Sequence, residues 1–255
     1  MVEGMIWLTG SVIALSVGSF ITVIAYRLPQ RILDPNSTLS LSWPRSHCPG
    51  CKTPLRLRDN IPLLSWLWLR GKCHACQRPI GWRYPAIEAS TAVISLLLTA
   101  LLPHNVMLLF SLLLIWSLLA LSLTDVEYQL LPDALTLPLL WLGLLLHAFD
   151  LLAGSLADAV FGAALGYALL WIFANGYRCL RGTDALGMGD AKLLAALGAW
   201  LGWQMLPLVL LISTTSGLCY ALTAKLIFNR SLGRAIPLGP WLSLAGAWLY
   251  LRELL

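Results

Sequence analysis

The chain has 255 residues, of which 58% are hydrophobic and only 11% are charged, with a mean hydropathy of +0.77. Soluble domains carry about a quarter charged residues, so this composition excludes an ordinary soluble enzyme and an intrinsically disordered chain. It predicts an all-α polytopic membrane protein, with the lipid bilayer as a partner. The net charge of +5 does not indicate a nucleic acid partner, because membrane proteins carry Lys and Arg in cytoplasmic loops for topological reasons.

Apolar runs that approach the length of a membrane span occur eight times. The first covers residues 5–25 and predicts one transmembrane helix within residues 1–25. A polar segment, residues 26–86, predicts a small extramembrane domain. Seven further runs at short intervals predict a membrane body over residues 87–255: 87–102, 106–124, 135–149, 159–177, 191–203, 206–228 and 238–251. The fourth, sixth and eighth runs are short against the roughly 20 residues that a spanning helix needs.

Basic residues are distributed unevenly over the two sides of these eight spans. Ten of the 17 Lys and Arg residues lie in residues 26–86, and six more lie in connections on the same side of the membrane. Only Arg252 falls on the other side. Because Lys and Arg are concentrated in cytoplasmic loops, the polar segment is predicted to be cytoplasmic and both termini to lie outside.

The polar segment contains two C-x2-C pairs separated by 21 residues, formed by Cys48, Cys51, Cys73 and Cys76. Four thiolates at this spacing are typical of a tetrahedral zinc site, and a closed site of this kind stabilises a small domain that lacks a core. Two disulfides or a redox dithiol are the alternatives, and a reducing cytoplasm disfavours disulfides. Cys179 and Cys219 lack a partner at metal-ligand spacing, so we expect them to be packed thiols.

Acidic residues are scarce, and five of the 12 cluster in two cytoplasmic connections: Asp125, Glu127, Asp133, Asp184 and Asp190. Ionisable groups beside the hydrocarbon are costly enough to indicate function. The alternative for each is structural, since an aspartate also ends or caps a helix.

Two glycines, Gly187 and Gly189, precede Asp190 at the predicted start of a helix. Without side chains they would allow another backbone to approach closely. Asp125 supplies a second carboxylate on the same side of the membrane. Two facing aspartates can share one proton, so that one activates water while the other polarises a peptide carbonyl. The two connections therefore predict aspartic protease chemistry.

Several motifs occur together and in order over nearly the whole chain: Gly18-Ser19-Phe20, Arg27-Leu28-Pro29, the paired C-x2-C segment, Ile61-Pro62-Leu63-Leu64-Ser65-Trp66, Tyr84-Pro85-Ala86-Ile87-Glu88, the segment from Asp125 to Asp133, and Gly187-Met188-Gly189-Asp190-Ala191-Lys192. In this combination the chain resembles the type IV prepilin leader peptidases, also called prepilin peptidase/N-methyltransferases, of type IV pilus and type II secretion systems. These are aspartic membrane proteases with a G-x-G-D motif.

The resemblance implies that Asp125 and Asp190 are the catalytic pair. It further implies a bacterial inner-membrane enzyme that cleaves a basic leader after a glycine, on the cytoplasmic side, from a type IV prepilin or pseudopilin. The same family methylates the new amino terminus with S-adenosylmethionine. Thr22 stands where the family usually has Asn. Whether the partner system builds pili or secretes proteins stays open, as does the oligomeric state.

Charge differs sharply between the two cytoplasmic regions. Residues 26–86 carry a net charge of +8, whereas residues 125–133 carry three acids and no base, a local charge of −3. We expect Glu127 and Asp133 to attract the basic leader toward the aspartates, and the alternative is that Asp133 caps the following helix. Glu88 would hold a substrate ammonium, unless it is a paired acid at the membrane boundary. The +8 segment is expected to lie against anionic headgroups.

Other functions remain open from sequence alone. A non-enzymatic membrane assembly protein would use the zinc module to hold a cytoplasmic partner. A G-x-G-D protease with a different membrane substrate would share the same site. A transporter fits poorly, because no acidic residue is predicted near the centre of a span.

Overall fold

The computed structural model describes residues 2–34, 36, 39–48, 50–183, 187–228 and 237–255, without the side chains of residues 2 and 3. Asp184, Arg230 and Arg234, which entered the sequence predictions, lie outside these residues. The described chain contains nine α-helices and no β-strand: α1 Val2–Leu33, α2 Leu64–Trp68, α3 Arg83–Leu101, α4 Val106–Tyr128, α5 Asp133–Ala148, α6 Leu156–Arg181, α7 Met188–Leu201, α8 Leu206–Phe228 and α9 Gly239–Leu254. It divides into two compact units, Met1–Trp116 and Ser117–Leu255.

The prediction of an all-helical membrane protein is confirmed, and each predicted span falls on one of these helices. The first helix is longer than its span, because α1 continues beyond Ala25 to Leu33. Within the described residues, α1, α3, α4, α6 and α8 are long and apolar enough to cross a membrane. Three more helices, α5, α7 and α9, match the three shortest apolar runs and have 16, 14 and 16 residues. The total of eight spans stays a prediction.

In the first unit, α1 packs closely against α3. A Cβ atom on Gly18 would lie 2.8 Å from Cα of Glu88, so only glycine allows this approach of the two backbones. Further along α1, the buried Arg27 donates hydrogen bonds of 2.8 and 2.7 Å to the carbonyl oxygens of Ser40 and Pro44. Arg27 therefore anchors the polar segment to the end of the first helix.

In the second unit, α7 is the central helix, surrounded by α5, α6 and α9. It is apolar on nearly all sides, as expected for a helix enclosed by others. A Cβ atom on Gly162 of α6 would collide with the carbonyl oxygen of Gly198 of α7, and the reverse also holds. The Trp200 indole N–H donates to the carbonyl oxygen of Leu139 at 2.8 Å. Small residues and this hydrogen bond hold α7, and the aspartate near its start, against its neighbours.

Candidate functional site

Asp125 lies near the end of α4 and is 5% exposed. Its Oδ2 atom accepts a hydrogen bond of 2.8 Å from the backbone N–H of Gly239, the first residue of α9. This N–H is one of the donors that the first turn of a helix leaves without a partner. A carboxylate beside it is stabilised both by the hydrogen bond and by the dipole of α9.

Asp190 is the third residue of α7 and is 9% exposed. Its backbone N–H donates to the carbonyl oxygen of Gly187, the residue that caps the helix. Its Oδ1 atom is buried and has no hydrogen-bond partner among the described residues. Asp125 and Asp190 share a neighbour, because Gly239, which donates to Asp125, and Gly189, which precedes Asp190, both lie against the Leu131 side chain. The structure thus brings both predicted catalytic residues into one buried site.

Leu131 packs against the start of α7, which carries Asp190, and against the start of α9, whose N–H group binds Asp125. A Cβ atom on Gly189 would lie 2.8 Å from Cβ of Leu131, and one on Gly239 would lie 3.1 Å from Cδ2 of the same side chain. Gly189 therefore permits the close approach expected from the sequence. At Gly187 an added Cβ would make only an ordinary contact of 3.5 Å with Asp190. A close approach is therefore present at Gly189, and at Gly187 it stays a prediction.

Glu127 and Asp133 are both exposed near this site. Asp133 opens α5, but the capping residue is Pro132 and makes no side-chain cap. Instead, both carboxylate oxygens of Asp133 lie 2.7 Å from Nζ of Lys192 on α7. The local charge of −3 counted along residues 125–133 is therefore partly offset by a lysine that comes from a distant part of the sequence.

Glu88 lies in the other unit, where α3 begins, and is 8% exposed. Its Oε2 atom accepts a hydrogen bond of 2.8 Å from the backbone N–H of Leu63. Leu63 has a positive φ of 59°, which is strained for a leucine, and the bond to Glu88 helps to hold it. Glu88 is thus partly engaged by the polar segment rather than wholly free for a substrate.

The four cysteines of the polar segment form one cluster. All four Sγ atoms lie within 4.8 Å of one another, with Cys48 3.8 Å from Cys76 and Cys51 4.0 Å from Cys73. A tetrahedral metal ion with bonds of about 2.3 Å to four thiolates requires separations of about 3.8 Å. No disulfide joins the four sulfur atoms, and their separations favour a metal site over two disulfides.

The two halves of the cluster have equivalent backbone hydrogen bonds. The backbone N–H of Gly50 donates to Sγ of Cys48 at 3.4 Å, and that of Ala75 donates to Sγ of Cys73 at 3.4 Å. Further bonds join Lys52 to the carbonyl of Cys48 at 2.9 Å and Gln77 to the carbonyl of Cys73 at 3.0 Å, which are equivalent positions. Pro49 of the first turn lies outside the described residues. The two turns position four sulfur ligands for one ion.

Hydrogen bonds lower the pKa of two of these cysteines. Those from Thr53 lower the pKa of the Cys51 thiol to about 6, and those from the backbone of Cys76 and Ala75 lower the pKa of Cys73. At neutral pH, Cys51 is therefore largely thiolate, the form that binds a metal.

Cys179 and Cys219 lie outside this cluster. Both were expected to be packed thiols, but they are exposed on α6 and α8, because no other described part of the chain covers them.

Known proteins are similar to this chain over nearly its whole length. The model of the bacterial peptidase A24 N-terminal domain matches residues 12–102, and that of the type IV leader peptidase family matches residues 112–222. The prepilin leader peptidase/N-methyltransferase of Aeromonas salmonicida is 42% identical over 98% of this chain and 92% of its own length. Those of Pseudomonas aeruginosa and Dickeya chrysanthemi are each 43% identical, over 94% and 95% of this chain and 87% and 91% of their own lengths. No solved structure matches significantly.

A helical membrane protein with two buried aspartates at helix ends has the arrangement of an aspartic membrane protease. The chain belongs to the type IV leader peptidase family. It is a multi-pass membrane peptidase and methyltransferase, as the resemblance implied.

Sequence reasoning missed three residues of this site: Gly239, Lys192 and Leu131. The Gly-Pro pair at residues 239 and 240 indicates a helix start, but nothing in the sequence indicates that its N–H group reaches Asp125. Lys192 was predicted as a cytoplasmic charge and as part of the motif around Asp190, but not as a partner of Asp133. All three depend on contacts between distant segments.

Gly239→Ala is expected to lower cleavage of a leader-bearing substrate by about 10- to 100-fold, because the added Cβ would lie 2.7 Å from Oδ2 of Asp125 and displace the carboxylate. The measurement is kcat of the purified enzyme in detergent. Gly176→Ala on α6 is the matched control, since a Cβ there meets nothing within 4 Å. Equal rates for both variants would show that the position of Asp125 does not depend on Gly239.

Proposed function

We propose that this protein cleaves the basic leader of a type IV prepilin or pseudopilin after a glycine, at the cytoplasmic face of a bacterial inner membrane, and then methylates the new amino terminus. The observation that carries the peptidase half is the buried pair, Asp125 and Asp190, with one oxygen of Asp190 unpartnered among the described residues. The names of the relatives support the substrate class and the methyl transfer.

We assign different roles to the two aspartates. Asp125 accepts the N–H of Gly239, which stabilises a negative charge, so it is the carboxylate that takes a proton from the attacking water. Asp190 has a buried oxygen without a partner and lies in the field of Asp125, which disfavours a second charge. Asp190 is therefore the protonated acid that polarises the scissile carbonyl. Gly187, where an added Cβ would make only an ordinary contact, leaves room for the extended substrate backbone beside Asp190.

The leader binds through its basic residues to Glu127 and Asp133 at the edge of this site. In the free enzyme the Asp133 carboxylate forms an ion pair with Lys192. The pair is partly exposed, with the Asp133 side chain 55% and the Lys192 side chain 30% accessible, so it contributes little to stability and exchanges readily. A leader Lys or Arg would replace Lys192 on Asp133 when the substrate docks.

The cysteine cluster holds a structural zinc ion through Cys48, Cys51, Cys73 and Cys76. Four thiolates leave no open coordination position, so the ion would stabilise the polar segment rather than take part in hydrolysis. The proposed division is a first transmembrane helix over 1–25, a cytoplasmic zinc domain over 26–86 that begins with the last two turns of α1, and a membrane body over 87–255. Positive charge in residues 26–86 supports the cytoplasmic orientation.

Asp125→Asn and Asp190→Asn are each expected to lower kcat for a prepilin precursor by about 10³-fold or more, because either change removes one half of the acid-base pair. Asp150→Asn, which removes an exposed carboxylate in the connection after α5, is the control and keeps wild-type kcat. Full cleavage by either site variant would rule out the pair.

Opposite effects on KM are expected from the two members of the ion pair. Asp133→Asn removes an acceptor for the basic leader and raises KM a few-fold, whereas Lys192→Gln frees Asp133 and lowers KM. Both effects shrink at high salt, because screening weakens exposed charge pairs. Steady-state kinetics at two salt concentrations measure them. If both variants shift KM in the same direction, the pair is only structural.

Purified protein is expected to contain about one zinc ion per chain, and Cys73→Ser is expected to lose it, because three thiolates and a hydroxyl bind zinc far more weakly. Elemental analysis by mass spectrometry makes the measurement. Cys219→Ser is the control, being an exposed thiol outside the cluster. Zinc content unaffected by Cys73→Ser would contradict the assignment.

A further inference from the structure

Leu131 is a buried apolar side chain at the catalytic site that the acid-base chemistry does not use. It lies in the connection between α4 and α5 and is 9% exposed. Acids stand on both sides of it in the sequence, because Asp125 precedes it and Asp133 follows it. A leucine takes no part in proton transfer, so any effect of Leu131 on a substrate comes from its shape.

One methyl group of Leu131 lies beside the Asp125 carboxylate. The position that a Cβ atom on Gly239 would occupy is 3.1 Å from Cδ2 of Leu131 and 2.7 Å from Oδ2 of Asp125. Because both distances are measured from one point, the separation of the methyl group and the carboxylate oxygen is no larger than their sum. Leu131 therefore borders the carboxylate that we assign to activate water.

The base of the same side chain lies against the start of α7. Cβ of Leu131 is 2.8 Å from the position of a Cβ atom on Gly189, the residue bonded to Asp190. At Gly187 the corresponding position has no side-chain neighbour closer than Oδ2 of Asp190, at 3.5 Å, among the described residues. The start of α7 is therefore filled by Leu131 at Gly189 and has more space at Gly187.

Leu131 is held firmly in this place. Gly189 and Gly239 contact it from two helices, and Pro132, which follows it, is buried and caps α5. The carbonyl oxygen of Pro132 accepts the N–H of Leu135 at 3.0 Å, which fixes the connection to the first turn of α5. A side chain packed on several sides has little freedom to move away from a clash. Leu131 is therefore a rigid wall.

A peptide cleaved at this site must place its scissile carbonyl carbon within reach of both carboxylates. The Cα atom of the residue before the scissile bond is only about 1.5 Å from that carbon. A side chain on this Cα atom therefore begins close to the carboxylates, in the region that Leu131 borders. Glycine has no side chain and needs no space there.

We propose that Leu131 determines the requirement for glycine before the scissile bond, because it fills the space that a side chain at that position would need. The inference rests on the proposed function, from which it takes cleavage after glycine. In this role Leu131 is a specificity-determining residue. It excludes larger substrates by its volume, and the two aspartates carry out the chemistry.

The test compares kcat/KM of the purified full-length enzyme for precursors that carry Gly, Ala or Val before the scissile bond. Leu131→Ala is expected to raise the ratio of Val to Gly cleavage by about 10-fold or more over the wild-type ratio, because a pocket discriminates single methylene groups by about this factor. The ratio is informative because a general loss of activity lowers the rates for all three precursors alike.

Two further variants are the controls. Leu131→Met keeps the volume of the side chain and is expected to keep the wild-type ratio. Leu137→Ala makes the same truncation at a leucine of α5 that is 42% exposed, and its ratio stays within about 2-fold of wild type. An unchanged ratio in Leu131→Ala, or equal cleavage of the Gly and Val precursors by the wild-type enzyme, overturns the proposal.

Disulfide cross-linking decides the question if Leu131→Ala is inactive toward every precursor. Leu131→Cys is combined with Asp190→Asn, which blocks cleavage, and is oxidised with copper phenanthroline beside a precursor that carries Cys in place of the glycine. A cross-link that peptide mapping assigns to residue 131 is expected, and Leu137→Cys in the same background is the control. No cross-link at residue 131, or an equal one at residue 137, overturns the proposal.

Failure of this inference is distinguishable from failure of the proposed function. Cleavage of the Gly precursor by the wild-type enzyme, and its loss in Asp125→Asn, test the peptidase assignment without any change at Leu131. If the wild-type enzyme cleaves no precursor, the proposed function fails. If it cleaves the Gly precursor and Leu131→Ala leaves the ratio unchanged, only the assignment of Leu131 fails.

Discussion

The second unit is organised around two carboxylates buried where α4 ends and where α7 and α9 begin, and one backbone N–H group, that of Gly239, donates to Asp125. Burying one carboxylate costs several kcal/mol unless it is paired or protonated, and burying two carboxylates near each other costs more. The N–H of Gly239 offsets this cost for Asp125 only. The resulting asymmetry is what lets two chemically identical side chains take different roles.

Close helix packing is the condition for this arrangement. Helix α7 has only 14 residues, and it holds Asp190 in place because Gly162, Gly166 and Gly198 allow α6 to approach it backbone to backbone. Within a bilayer, contacts of this kind replace the hydrophobic driving force that water supplies elsewhere. The glycines that flank Asp125 and Asp190 act in the same way, since Gly189 and Gly239 leave space for Leu131 and for the Asp125 carboxylate.

The two units separate two kinds of chemistry. The second unit carries the aspartates in an apolar setting suited to proton sharing. The first unit carries the cysteine cluster and a cavity lined by three buried charged side chains, Arg27, Asp59 and Glu88. Cys48 and Cys73 line that cavity as well as forming the cluster, so an ion bound by the four thiolates would also shape its wall.

Composition and hydropathy by themselves determined that this is a helical membrane protein, because a chain so poor in charge has no soluble alternative. The paired C-x2-C spacing determined the cysteine cluster, because each pair sits on its own short turn and local geometry directs its sulfur atoms. The order of motifs determined the family and Asp125 with Asp190. Only the tertiary structure decided that the N–H of Gly239 donates to Asp125, that Lys192 pairs with Asp133 and that Asp59 and Glu88 line one cavity. Each of these relations joins residues 29 to 114 positions apart, and hydropathy patterns carry no information about which distant backbone or side chain will meet a buried charge.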